Sequence, residues 1–162
     1  MPSANAQTPN LPVLAGRPLF LANIAVGSIH ATGGPAGVQQ RVSDITGGDF
    51  TGDRLRGRVL PGGTDWVIVR GDGATLLDAR IVLQTEDGAL ISMAYTGIRR
   101  GSADVMERLA RSEDIDPASY YFRIAPRFST SDPRYEWLNG ILAVGVGHRL
   151  PGGPVYAVHE IL

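Results

Sequence analysis

Hydrophobic and polar residues alternate through residues 65–96, the stretch around which the rest of the chain is organised. Asp72-Gly73 and Asp87-Gly88 divide it into three apolar segments, and an Asp-Gly pair between such segments is a strong signal for a tight hairpin. The pattern therefore predicts three antiparallel strands joined by two turns. Successive side chains of a strand point to opposite faces. In the middle strand, one face carries Leu77, Ala79, Ile81 and Leu83, and the other carries Asp78, Arg80, Val82 and Gln84.

Shorter apolar segments on both sides of this stretch predict further strands. They cover residues 19–26, 39–46, 55–60, 120–126, 135–145 and 155–161. Residues 102–111 predict the one helix, with Ser102 as its N-cap and an apolar face that includes Val105 and Leu109. Many short strands separated by turns, with a single helix, are typical of an all-β antiparallel sheet that closes into a barrel or folds as a sandwich. We favour the barrel, with a lipocalin-like shape.

The length of 162 residues predicts one domain, which we place at residues 15–162 behind a loose N-terminal tail at residues 1–14. The chain has no cysteine, and all 15 of its basic residues are arginine. These counts exclude thiol catalysis, disulfides, Schiff-base lysines and the P-loop lysine. The formal net charge of −1 gives no reason to expect nucleic acid as a partner. No apolar run is long enough to span a membrane, and residues 1–12 do not resemble a secretion signal, so the expected location is the cytoplasm.

Several sequence segments, taken together in their order and spacing, resemble one bacterial family. They are Ile45-Thr46-Gly47-Gly48-Asp49-Phe50, residues 56–66, Leu77-Asp78-Ala79-Arg80, Asp87-Gly88-Ala89, Tyr120-Tyr121-Phe122-Arg123 and Tyr135-Glu136-Trp137-Leu138-Asn139. The family is the domain-of-unknown-function 3237 family, also called the UPF0311 group, and the likeness spans roughly residues 15–162. The resemblance implies a single all-β, barrel-like domain and no established activity.

Asp78 and Arg80 are the first candidates for chemistry, because they share one face of a central strand. If that face meets solvent, they form an ion pair of little energetic consequence. If it lines a cavity, Arg80 would bind an anion or carbonyl while Asp78 orients it or acts as a general base. Asp65 follows a Gly-Gly turn and is either a structural turn acid or a general acid or base at the pocket mouth. Trp66 would then be an apolar wall or, in the structural interpretation, an anchor at the barrel end.

Five further residues are candidate ligand-binding residues, because buried polar side chains require partners. They are Tyr95, Tyr121, Arg123, Trp137 and Asn139. We expect Asp78, Arg80, Tyr121, Arg123 and Asn139 to converge on one cavity, with Trp66 and Trp137 at its wall or mouth. The alternative for the aromatic residues is a place in the core.

No cofactor or metal is expected. The three histidines are scattered, none has ligand spacing, and no nucleotide-binding or nucleophile-elbow motif is present. These exclusions favour a cofactor-independent enzyme of the isomerase, hydratase, lyase or lactone-hydrolase type. It would act on a small carbonyl or carboxylate compound by proton transfer among Asp, Arg and Tyr side chains. The alternative is a non-catalytic carrier of a small anionic or aromatic ligand, and a homo-oligomer is compatible with either.

Overall fold

The computed structural model describes residues 11–162, which form nine β-strands and one α-helix. The strands are β1 (Gly16–Ala31), β2 (Gln39–Thr51), β3 (Arg56–Val59), β4 (Gly63–Val69), β5 (Thr75–Thr85), β6 (Leu90–Arg100), β7 (Tyr121–Ser129), β8 (Ala143–Leu150) and β9 (Gly153–Ile161). Helix α1 (Ala103–Ala110) lies between β6 and β7, and short 3₁₀ helices occupy Pro117–Ser119 and Glu136–Gly140. Of the predicted tail, residues 1–10 lie outside the described residues, and residues 11–14 are exposed. Among the described residues, no helix has the length and apolar character needed to cross a membrane.

The strands form one closed antiparallel barrel. β3 and β4 both pair with β2 on one side and β5 on the other, so these two short strands occupy a single position in the wall. The barrel therefore has eight positions, and β1 closes it by pairing with both β2 and β9. The predicted all-β antiparallel barrel with one short helix is confirmed. Ser102 caps α1 as predicted by accepting a hydrogen bond from the Val105 backbone N–H.

Each strand turns one of its two faces inward. Most of the residues on these inward faces are apolar, so the barrel interior is apolar over most of its length. On β5 the inward residues are Thr75, Leu77, Ala79, Ile81, Leu83 and Thr85, all buried. Phe20 lies edge-on to Phe50 and to Phe128, with ring centroids 5.5 and 5.9 Å apart. This aromatic cluster packs the interior on the side away from α1.

The barrel end opposite α1 is closed by an ion pair cluster and a tryptophan. The Glu160 carboxylate, on β9, accepts hydrogen bonds from the guanidinium groups of Arg17 and Arg54. Arg54 in turn lies over the Trp137 ring, 3.9 Å from its centroid. We call this the closed end of the barrel.

The prediction of a strand at residues 135–145 is wrong in its first half. Residues 136–140 form a 3₁₀ helix, and β8 begins only at Ala143. Asn139 explains the difference, because its side-chain amide bonds both the N–H and the C=O of Thr130 and so replaces the partners that a strand would need. Leu138 is fully buried beneath this turn. The alternation of apolar and polar residues in this segment therefore belongs to a helical turn that buries one apolar side chain, and not to a strand.

Candidate functional site

Two connected chambers lie at the α1 end of the barrel. The inner chamber is lined by Val26, Ile29, Arg41, Ser43, Asp65, Val67, Thr75, Leu77, Arg99, Phe122, Arg149 and Pro154. The outer chamber is lined by Ile29, Gln39, Arg41, Val69, Gly73, Thr75, Arg99, Met106, Leu109, Ala110, Ser112 and Arg149. The cavity volume is about 50 Å³ in the inner chamber and about 270 Å³ in the outer one. Five residues line both and form a neck between them: Ile29, Arg41, Thr75, Arg99 and Arg149.

A row of inward residues crosses four neighbouring strands at the base of the inner chamber. Ser43 on β2 pairs with Asp65 on β4, Asp65 with Ala79 on β5, and Ala79 with Tyr95 on β6. All four are buried. Because the middle residue is an alanine, little side-chain volume stands between the carboxyl group and the phenol. The barrel register therefore places Asp65 and Tyr95 in the same layer of the interior.

Asp65 is a buried carboxyl group with an incomplete set of partners. Its exposed fraction is 7%, and its Oδ1 has no hydrogen-bond partner within the described part of the chain. Burial raises the pKa of Asp65 from 3.8 to about 6, although the backbone of Asp78 and the positive charge of Arg99 act in the opposite direction. A carboxyl group whose pKa lies near neutrality can both take up and release a proton at physiological pH.

Two tyrosines lie close to this carboxyl group. The rings of Tyr95 and Tyr156 meet edge-to-face, with centroids 5.5 Å apart, and Phe122 packs on Tyr156 at 5.4 Å. Neither tyrosine hydroxyl has a hydrogen-bond partner among residues 11–162. Burial raises the pKa of both phenols, and the charge of Asp65 raises them further. Both hydroxyls therefore stay protonated at physiological pH.

Three arginines from three strands meet at the neck. Arg41 lies on β2, Arg99 on β6 and Arg149 on β8. Burial lowers the pKa of Arg99, and with the contributions of the Arg149 and Arg41 charges the value is about 10. Over residues 11–162, none of the three forms an ion pair with a carboxylate, and the Arg99 Nε has no partner at all. Three positive charges thus face one another, and Asp65 is the one acid that lines the same space.

Strand periodicity explains why the arginines and Asp65 enter the same space. Arg41 lies two residues before Ser43 on β2, and Arg99 lies four residues after Tyr95 on β6, so each shares the inward face of its strand. Arg149 is held at the end of β8, where its backbone N–H donates to the Tyr120 hydroxyl at 2.8 Å. Its guanidinium also donates to the Leu150 carbonyl. The arginines thus lie above the Asp65 layer, on the side of the mouth.

Helix α1 lies over the outer chamber and lines it with Met106, Leu109 and Ala110. Leu109 is buried, and Val105 and Met106 are half-buried against the core. The helix begins directly after β6, the strand that carries Arg99. It therefore supplies an apolar roof above the charged neck.

Asp65 is the sequence-predicted site residue that lines the chambers, whereas Tyr95 is buried in the same layer of the barrel without lining either of them. The prediction that Asp78 and Arg80 point into the barrel is wrong, because both are exposed on the outer face of β5. The physical reason is that the interior beside this strand is largely apolar, so its apolar face turns inward. Trp66 also points outward and is 55% exposed, one position along the strand from the buried Asp65.

The other predicted residues do not converge on the chambers either. Tyr121 is exposed on β7, and Arg123 lies over its ring at 4.8 Å while donating to the Phe122 carbonyl at 2.9 Å. Trp137 and Asn139 belong to the 3₁₀ helix near the closed end. These four residues stabilise local structure by contacts that the linear pattern does not reveal.

Sequence reasoning missed the three neck arginines and Tyr156. One signal was available for Arg99, since Tyr95, Gly97 and Arg99 share a strand face and Tyr95 was already a candidate. Ser43 and Arg41 share a face in the same way. No local signal connects either pair with Arg149 or Tyr156, because strands distant in sequence supply them. Among the described residues, no group of three or more His, Asp or Glu side chains is arranged to hold a metal ion.

Comparisons with known proteins identify relatives along nearly the whole chain. Residues 15–161 match the family described as protein of unknown function (DUF3237). A UPF0311 protein of Rhodopseudomonas palustris is 34% identical over 151 residues, covering 93% of this chain and 99% of the relative. A crystal structure described as a β-barrel-like protein, from Acinetobacter baumannii, has 38% identity and a TM-score of 0.83, covering 96% of this chain and 100% of that one. A structure described as an enzyme from Penicillium herquei has 26% identity and a TM-score of 0.70, covering 96% and 98%.

Proposed function

The chain belongs to the DUF3237 family, as its sequence segments indicated, and on that premise we propose that the α1 end of its barrel is the active site of a cofactor-independent enzyme. The enzyme would act on a small carbonyl or carboxylate compound by proton transfer. One observation carries the proposal: an unpaired buried carboxyl group, Asp65, lies below three arginines that lack counterions. Such an arrangement is costly for folding alone, since buried polar groups without partners destabilise the native state.

The proposed reaction begins with proton abstraction. The Asp65 carboxylate removes a proton from a carbon next to a carbonyl group, and the electron pair of the broken C–H bond moves to the carbonyl oxygen. The resulting enolate oxygen is stabilised by an arginine of the neck, which is a preorganised donor in a partly dry site. Asp65 then returns the proton to the same carbon, which gives exchange with solvent, or to a different carbon of a conjugated enolate, which re-forms the carbonyl and shifts the carbon–carbon double bond. In a lyase, a group on the adjacent carbon departs as the carbonyl forms again.

Two findings support an enzyme over a simple carrier. The solved structure from Penicillium herquei that shares this fold is described as an enzyme. A carrier of an anion needs the arginines but gains nothing from a carboxyl group with a pKa of about 6 beside them. Carrier function remains the alternative, and the two are separated by whether bound ligand exchanges protons.

The direct test measures hydrogen exchange next to a carbonyl group. Pyruvate, α-ketoglutarate and cyclohexanone are incubated with the protein in deuterium oxide, and loss of the proton signal is followed by NMR. We expect exchange above the buffer rate with at least one compound. The rate should rise as pH passes through about 6, because only the ionised Asp65 accepts a proton.

Asp65→Asn is the matched variant, since it keeps the size of the side chain but cannot act as the base. It should abolish the exchange while leaving binding intact. Asp78→Asn, on the outer face of the barrel, should exchange like the parent. Binding of these compounds without exchange by the parent would instead show a carrier, and equal exchange by Asp65→Asn would place the base elsewhere.

A further inference from the structure

The two chambers together contain a marked excess of positive charge. Their lining includes three arginines but only one acid, Asp65. With Asp65 ionised, the site still carries two uncompensated positive charges, and with Asp65 protonated it carries three. The outer chamber adds apolar and uncharged polar side chains and no acid. The side chains of the site therefore leave part of its positive charge unbalanced, and a bound anion would balance that charge.

The arginines repel one another, and their positions allow one ligand to contact all three. Each lines both chambers, so all three guanidinium groups border the same neck. The charges of Arg149 and Arg41 both disfavour the charged form of Arg99, which shows that the three fields overlap. Guanidinium groups bind carboxylate and phosphate oxygens in a bidentate manner. A single negative charge would leave at least one arginine uncompensated.

We infer that the ligand is a dianion, either a dicarboxylate or a phosphate monoester, whose charged groups lie at the neck against Arg41, Arg99 and Arg149. This inference rests on the proposed function and specifies its substrate class. The reacting part of the ligand then extends inward to the Asp65 layer. The buried hydroxyls of Ser43 and Thr75 lie along that path.

The test compares anions that differ in charge but hardly in size. Binding of succinate, butyrate, methyl phosphate and acetate is measured by isothermal titration calorimetry at constant ionic strength in a chloride buffer. We expect succinate or methyl phosphate to bind at least tenfold more tightly than butyrate and acetate. Tighter binding of succinate identifies a dicarboxylate, and tighter binding of methyl phosphate identifies a phosphate ester. If neither dianion binds more tightly than the monoanions, the inference is wrong.

Three variants locate the binding. Arg41→Gln and Arg149→Gln should each weaken dianion binding by tenfold or more, and Arg80→Gln should not change it, because Arg80 is exposed on the outside of the barrel. Circular dichroism of each variant verifies that the barrel is intact. Dianion binding that is equal in Arg41→Gln, Arg149→Gln and the parent would overturn the inference.

Asp65→Asn separates this inference from the proposed function. The variant should retain dianion binding or bind more tightly, because it removes a negative charge from the site. If dianions fail to bind but Asp65-dependent exchange of pyruvate or cyclohexanone is observed, the substrate class is wrong and the proposed reaction stands. If dianions bind through the arginines but no compound exchanges protons, the proposed reaction is wrong and the anion site stands.

Discussion

Asp65 illustrates how the burial of a single carboxyl group destabilises its charged form and raises its pKa. An ionised carboxylate in a buried position loses hydration that its neighbours replace only in part. The barrel therefore favours the protonated form of Asp65, and the pKa rises to about 6. A group with a raised folded-state pKa contributes stability below its unfolded value, here 3.8, and that contribution is lost as pH rises through about 6.

The Asp65→Asn variant should be more stable than the parent at pH 8 and similar to it at pH 3.5. At the higher pH the parent buries a charge that asparagine lacks, and a shift of this size corresponds to about 1 to 3 kcal/mol of unfolding free energy. Urea denaturation at the two pH values measures the difference. Asp78→Asn, at an exposed site, is the control and should show no such pH-dependent gain. Equal effects of both substitutions would mean that Asp65 is ionised without cost.

At the scale of elements, the junction of β3 and β4 positions the acid. The segment between Val59 and Gly63 is a short turn that stays bonded to both neighbouring strands, since the Leu60 N–H donates to the Val82 carbonyl at 2.8 Å and the Gly62 N–H donates to the Ile45 carbonyl at 3.0 Å. Gly62 has a φ of +99°, which a side chain rarely permits. After this interruption the wall resumes at β4, whose register brings Asp65 inward opposite Ser43 and Ala79.

Gly57 keeps β3 close to β5, and replacing it should destabilise this part of the wall. A Cβ atom at Gly57 would lie 2.0 Å from the Gln84 backbone carbonyl oxygen, which cannot move without separating the strands. We expect Gly57→Ala to lower the unfolding free energy by about 1 to 3 kcal/mol, as overpacking does elsewhere. Thermal and urea unfolding measure the change.

The matched control is Gly152→Ala, because a Cβ atom there meets nothing within 4 Å. It should change stability little. If the two variants were equally stable, β3 and β5 would be held less tightly than the structure indicates.

For the whole molecule, the two ends of the barrel differ in how their charged side chains are paired. The α1 end holds the unpaired acid and the three arginines of the neck. At the closed end, one carboxylate serves two guanidinium groups, and a tryptophan covers one of them. The Arg17 and Arg54 guanidinium groups lower the pKa of Glu160, whereas burial raises the pKa of Asp65. Carboxyl groups at the two ends are thus shifted in opposite directions, by ion pairing at one end and by burial at the other.

Substitution at the closed end should affect stability without affecting the site. Because the folded-state pKa of Glu160 is lowered, its contribution is present above its ordinary value of 4.5 and is lost as pH falls below it. Glu160→Gln should lower the unfolding free energy by about 1 kcal/mol at pH 7, and the difference should vanish in acid. Dianion binding and proton exchange should be unchanged. Glu86→Gln, at an exposed glutamate, is the control for stability.

Much of the architecture follows from local patterns. Alternation predicted β4, β5 and β6 and their Asp-Gly turns, since period-2 hydrophobicity and a positive φ at glycine are properties of adjacent residues. The segment at residues 136–140 was missed because Asn139 gains its partners from Thr130, nine residues earlier in the chain. A contact of that kind leaves no trace in the alternation of the segment itself.

The sequence by itself determined the antiparallel barrel, its helix, its family and the candidacy of Asp65 and Tyr95. Only the tertiary structure decided which face of each strand is the interior. Polarity predicted that Asp78 and Arg80 line a cavity, but an apolar interior beside β5 turned them outward. Only closure of the barrel brought Arg41, Arg99 and Arg149 to one neck, because they come from strands far apart in the chain. A site assembled across a closed sheet depends on register between distant strands, and a linear pattern of residues does not contain that register.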